Sequence, residues 1–73
     1  MAIDLRSQIE NNFTYHAPKG NQPERYEALR AKAKEFAIYL AGEVPPSREL
    51  SLALTNLEQA VMWANAGIAR NEE

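Results

Sequence analysis

Two adjacent prolines, Pro45 and Pro46, divide this chain into segments that no single helix can join. Neither can donate a backbone hydrogen bond, and each turns the residue before it away from helical geometry. Both flanking segments nevertheless read as helix. Before the prolines, Tyr26, Leu29, Ala33, Phe36 and Leu40 recur at spacings of 3, 4, 3 and 4. That is one apolar helical stripe, running to about Ala41, with Gly42 suited to the position just past the helix end. After them, Ser47 is a good N-cap, and Leu50, Leu54, Leu57, Val61, Ala64 and Ile68 recur at 4, 3, 4, 3 and 4. The linker is only about five residues long. Two long helices so joined should lie antiparallel, as an αα-hairpin.

Upstream, Ile3, Leu5 and Ile9 are loosely helical in spacing, with Asp4 as a candidate N-cap. One or two turns of helix are expected over residues 3–12, too few to stand without packing. The segment "FTYHAPKGNQ", residues 13–22, contains Pro18 and Gly20 and reads as a loop. Pro23 then suits the first helical position, with Glu24 in the first turn. The expected fold is all-α: a short N-terminal helix plus an antiparallel helical hairpin, one domain over residues 1–73. Internal repeats and low-complexity tracts are absent.

So short a chain buries a small share of its surface and usually needs disulfides, a metal or partner subunits. With no cysteine, disulfides, thiolate zinc sites and cysteine nucleophiles are excluded, and His16 alone cannot form a histidine metal cage. No cofactor is expected. By elimination, self-association supplies the missing stability. The two stripes also leave apolar residues over: Ile38 and Tyr39 lie off the first, Leu52, Met62 and Trp63 off the second. Trp63 either packs under the short N-terminal helix or lies at a subunit interface, where Trp, Tyr and Met are enriched. Ala53, Ala60 and Gly67 follow one another at sevens and would allow a neighbouring backbone to approach closely.

With 45% hydrophobic and 25% charged residues, the composition suits a globular chain rather than a disordered one. A net charge of -2 weighs against duplex nucleic acid, whose binding relies on basic surface. No apolar run is long enough to span a bilayer, and "MAIDLRSQIE" lacks a signal-peptide core, so a cytosolic location is expected.

Catalysis finds little support. There is no Gly-rich phosphate loop, no paired metal carboxylates and no nucleophile–base constellation; Ser47 and Ser51 read as caps. The cations say more. Arg25, Arg30, Lys32 and Lys34 crowd the first long helix, with Glu24, Glu27 and Glu35 beside them. A solvated face with local ion pairs, such as Arg30 with Glu27 or Glu35, is the plain reading. The alternative is a binding site. Tyr15 in the preceding loop can stack on a nucleobase, and Arg30 and Lys34, one turn apart on one face, can meet a phosphate together.

The segments "FTYHAPKGNQPERYEALRAKAKEFA" and "VPPSRELSLALTNLEQAVMWANAGIARNEE" resemble the small phage anti-CBASS proteins, which sequester cyclic oligonucleotides. The resemblance covers residues 9–72, and "SRELSLALTNLEQAVMWANAGIARN" is its most specific part. The same hairpin occurs in some phage sponges against Thoeris signalling. The resemblance implies a compact homohexamer in the cytoplasm of the infected bacterial host. Cyclic dinucleotides such as 3′,3′-cGAMP would be held intact in pockets shared between subunits, and cyclic trinucleotides at separate threefold sites. Matched by position, the stacking tyrosine is Tyr15 and the pocket cation is Arg30 or, next in line, Lys34, with Lys32 belonging to either pocket. The trinucleotide cation is Arg70, with His16 and Asn12 lining that second site. A twofold axis would turn one Arg30 per chain into a matched pair for a ligand with two phosphates. The alternative is a small helical regulator binding DNA or a host protein. A purely structural helical oligomer and an enzyme degrading cyclic nucleotides are further readings.

Overall fold

Ser47 opens the longest helix of the chain. In the computed structural model, which describes residues 4–72, its extended backbone lets Oγ accept from the Leu50 N–H at 3.1 Å. One of the orphan donors of a helix start is thereby satisfied. The described residues form three α-helices and no strand: α1 (Leu5–Asn12), α2 (Gln22–Glu43) and α3 (Arg48–Asn71). Helices α2 and α3 pack against each other as a hairpin turning through residues 44–47.

The facing stripes are half-buried. From α3 come Leu50, Leu54, Leu57, Val61, Ala64 and Ile68, as their spacing predicts. From α2 come Tyr26, Leu29, Ala33 and Leu40, with Ala37 where Phe36 was expected. A step of four from Ala33 keeps the period of the α-helix and sets a small side chain against α3. Phe36 is turned outward, 50% exposed, its ring 6.5 Å from that of Tyr39 and nearly parallel to it.

Four boundary details differ from expectation. Helix α2 runs through Gly42 to Glu43, so Gly42 is a helical residue, not the cap beyond the end. The stop comes from the prolines: Val44, before Pro45, is extended at φ -111°, ψ 131°, while its N–H still bonds the Leu40 carbonyl. The linker is accordingly shorter than expected. Pro23 sits one position into α2, which opens at Gln22; a first turn needs no proline N–H. Asp4 stands at the N-cap of α1, but its side chain makes no capping bond, its nearest hydroxyl being Ser7 Oγ at 3.5 Å. Ile3, counted toward α1, lies outside the described residues.

No apolar side chain is buried outright among the described residues. Leu5, Phe13, Ile38, Tyr39, Met62 and Trp63 each keep more than 60% of their surface exposed, and Leu52 keeps 48%. The off-stripe residues Ile38, Tyr39, Leu52, Met62 and Trp63 thus stay largely exposed in one chain. The accessible surface is 6154 Å², against about 4,500 Å² for a folded monomer of this 8.2 kDa mass. The radius of gyration is 15.6 Å, where a compact domain of this length has about 11 Å. The single chain is an elongated hairpin, 44 Å long, with a helical spur.

Candidate functional site

Arg30 and Lys34 are brought together on one groove. It lies between α2 and α3, has a volume of about 410 Å³, and is otherwise lined mainly by Ala33, Ala37, Leu54, Leu57, Val61 and Met62. The period of the helix places the two cations one turn apart on the same flank. Neither is in an ion pair among the described residues, where the pairs are Arg6–Glu10 and Arg25–Glu72. The local pairing of Arg30 with Glu27 or Glu35 is therefore not formed. Glu58 of α3 lines the same groove, an anion the sequence reading did not place there. Lys32, one step round the helix, is exposed and does not line it. Two unpaired cations above an apolar floor suit a ligand with phosphates on one side and flat, weakly polar rings on the other.

Tyr15 is 84% exposed and does not line this groove. It lies in the loop of residues 13–21, whose chain reverses at Gly20 with a left-handed φ of 59°. Beside it, Thr14 Oγ1 donates to the Glu10 carbonyl, and the His16 ring lies 2.8 Å from the Asn11 carbonyl through Nε2. The loop is thus folded back onto α1.

A second, larger cleft of about 600 Å³ opens between α1 and the last turns of α3. Asn12 and Arg70 both line it, together with Asn11, Phe13, Trp63 and Asn71. Trp63 is not covered by α1, as one reading of the sequence had it; the two form opposite walls of the cleft. His16 does not line the cleft, and its ring is engaged by Asn11, which in turn donates Nδ2 to the Arg70 carbonyl at 3.2 Å. One cation, several side-chain amides and two aromatic rings make a surface suited to a base and a phosphate. Among the described residues no group of three His, Cys, Asp or Glu side chains could hold a metal ion, and no helix is long and apolar enough to cross a membrane.

A third cluster ties the end of α3 to the start of α2. Glu72 accepts from Gln22 Nε2 at 3.1 Å and from Arg25 Nη1 at 2.9 Å. These two bonds hold its carboxyl below the usual carboxylate range, Gln22 contributing most, with the charges of Arg25 and Lys19 adding to the effect and desolvation opposing it. Neither Gln22 nor Glu72 announced itself in the sequence.

The family model of the Acb2/Tad1 hairpin domain matches residues 6–69 of the chain. The chain belongs to the Acb2/Tad1 hairpin family. This is the family of the anti-CBASS and anti-Thoeris sponges, binding proteins rather than enzymes. The match takes in α1 from its second residue, the loop, α2 and nearly all of α3, so the Acb2/Tad1 hairpin spans the groove with Arg30 and Lys34 and the loop with Tyr15. Arg70 and Glu72 fall just beyond it. No curated protein and no solved structure matches the chain.

Proposed function

We propose that this member of the Acb2/Tad1 hairpin family is a phage anti-defence protein that binds host cyclic oligonucleotide messengers and holds them intact. The messenger is then withheld from the CBASS effector that needs it, in the cytoplasm of the infected bacterium. The observation that carries this reading is the pair of unpaired cations, Arg30 and Lys34, on an apolar groove in a chain of this family. Cyclic dinucleotides such as 3′,3′-cGAMP suit that groove: the cations take the phosphates, and Tyr15 stacks on a base. Because Tyr15 does not line the groove of its own chain, the complete pocket takes the tyrosine from a second copy. The exposed apolar residues of α2 and α3 support such an assembly, and we assign it as a homohexamer of single-domain chains. Arg70, Asn12 and His16 serve a separate site for cyclic trinucleotides.

Retention and recovery together test the reading. The protein is incubated with 3′,3′-cGAMP, the free ligand is measured across a dialysis membrane, and the protein is then removed by heat. Depletion of free ligand followed by recovery of intact cyclic dinucleotide is the expected result. Linear products would make the protein an enzyme, and no depletion of this ligand or of a cyclic triadenylate would remove the sponge assignment.

A further inference from the structure

Among the described residues one side chain alone is buried outright, and it is polar: Gln22 keeps 4% of its surface. A buried amide is costly unless its polar atoms find partners. Gln22 finds them far apart in the chain. Its Oε1 accepts from the backbone N–H of Lys19 at 3.1 Å, and its Nε2 donates to Glu72 Oε1 at 3.1 Å. Arg25, nearly one turn further along α2, takes the same carboxylate through Nη1, 2.9 Å from Oε1 and 2.8 Å from Oε2. The late part of the loop of residues 13–21 is therefore fastened to the residue that follows α3.

The early part of that loop is fastened to the same place by another route. His16 meets the Asn11 carbonyl, and Asn11 donates to the carbonyl of Arg70, in the last turn of α3. Tyr15, with its own ring exposed, thus lies between Asn11, which bonds Arg70, and Lys19, which reaches Glu72 through Gln22. The loop's other bonds are local, from Thr14 Oγ1 to the Glu10 carbonyl and from the Gln22 N–H to the Lys19 carbonyl, and it contains Pro18, Gly20 and no buried apolar residue.

We infer that Gln22, Glu72 and Arg25 form a latch that fixes the loop of residues 13–21 and so holds Tyr15 ready for its ligand. The three are positioning residues. The inference rests on the reading of Tyr15 as the base-stacking residue. A loop ordered before the ligand arrives loses less conformational entropy on binding, so the latch acts through affinity while touching no ligand atom. Glu72 keeps 38% of its side-chain surface, so truncating it opens the latch without touching the hairpin stripes.

The test uses the full chain with Glu72→Ala, and Gln22→Ala as a second variant, in two measurements. The first is hydrogen exchange of the Lys19 amide without ligand. The second is calorimetric affinity for 3′,3′-cGAMP, repeated in a Tyr15→Ala background. The latch requires that Glu72→Ala speed exchange at Lys19 by about tenfold or more, as expected for a released local contact. It also requires binding about tenfold weaker, and a further loss of less than about twofold once Tyr15 is gone, because the two residues act through one element. Unchanged exchange at Lys19 overturns the latch. Faster exchange with unchanged affinity, or an equal loss in both backgrounds, overturns the positioning role. If the unmodified protein takes up no cyclic dinucleotide at all, the ligand assignment falls, and exchange at Lys19 still decides by itself whether the latch holds the loop.

Discussion

Arg30 and Lys34 stand one helical turn apart on α2 and line the same apolar groove, neither paired with a carboxylate among the described residues. Two cations on one flank of an apolar groove are the basis for proposing an anionic ligand there. Hydrogen bonds to charged groups contribute about 1.5–3 kcal/mol each. Arg30→Ala and Lys34→Ala should therefore each weaken binding of a cyclic dinucleotide by about tenfold or more, measured by calorimetry at fixed salt. If both cations hold one phosphate, the double variant should lose less than the sum of the two free energies.

Glu58 lines that groove from α3, on the side facing the two cations, and its charge opposes a phosphate ligand. Glu58→Gln keeps the shape and removes the repulsion. Binding should tighten by several-fold at low ionic strength, and the gain should shrink at high salt as screening takes over. A weaker ligand affinity in Glu58→Gln would mean that the carboxylate accepts a bond from the ligand, such as one from a guanine edge.

The surface left open by one chain makes a prediction about mass. With 6154 Å² exposed and no apolar residue buried outright among those described, the isolated hairpin is expected to make a poor monomer. Sedimentation should give a particle several times heavier than 8.2 kDa, with a melting temperature that rises with protein concentration. Ile38→Asp and Tyr39→Asp place a charge on residues that are 65% and 61% exposed in the chain. Each should shift the population toward monomer and lower the melting temperature. In a protein that works as a monomer, both substitutions would be nearly silent.

The latch carboxylate gives a dependence on pH. Gln22 and then Arg25 hold the Glu72 carboxyl below the usual carboxylate range, with Lys19 also contributing positive charge. A depressed folded-state value means that stability is gained above the unfolded value and lost as pH falls through the folded one. The melting temperature of the native chain should thus exceed that of Glu72→Gln at neutral pH. The difference should close as the pH drops below about 4, where the carboxyl protonates in the unfolded chain and then in the folded one. A gap independent of pH would show that the charge on Glu72 does not matter to the fold.

How much of this was legible in the sequence depended on whether a feature repeats. The α3 stripe from Leu50 to Ile68 and the Ser47 cap repeat a known spacing or a known chemistry, and they were read correctly. On α2 the same reading took Phe36 for Ala37, because hydrophobicity counts favour the larger residue while close helix packing favours the smaller. Gly42 misled for a similar reason: a glycine can cap a helix, but Pro45, through Val44, does the stopping. Arg30 and Lys34 shared a face by period alone, and the groove behind them follows from the hairpin. The Gln22–Glu72 contact joins positions that no local pattern links, and an amide has no period to betray it. Glu58 in the groove was missed because its place depends on how α3 is rotated against α2.

The proposed function requires the groove of Arg30 and Lys34 to take a cyclic dinucleotide. Isothermal titration of the purified protein with 3′,3′-cGAMP, with the stoichiometry fitted freely, asks this directly. The expected result is a saturable heat at about half a ligand per chain, as for a pocket shared across a twofold axis, abolished by Arg30→Glu. No heat with this ligand, or an isotherm that Arg30→Glu leaves unchanged, would contradict it.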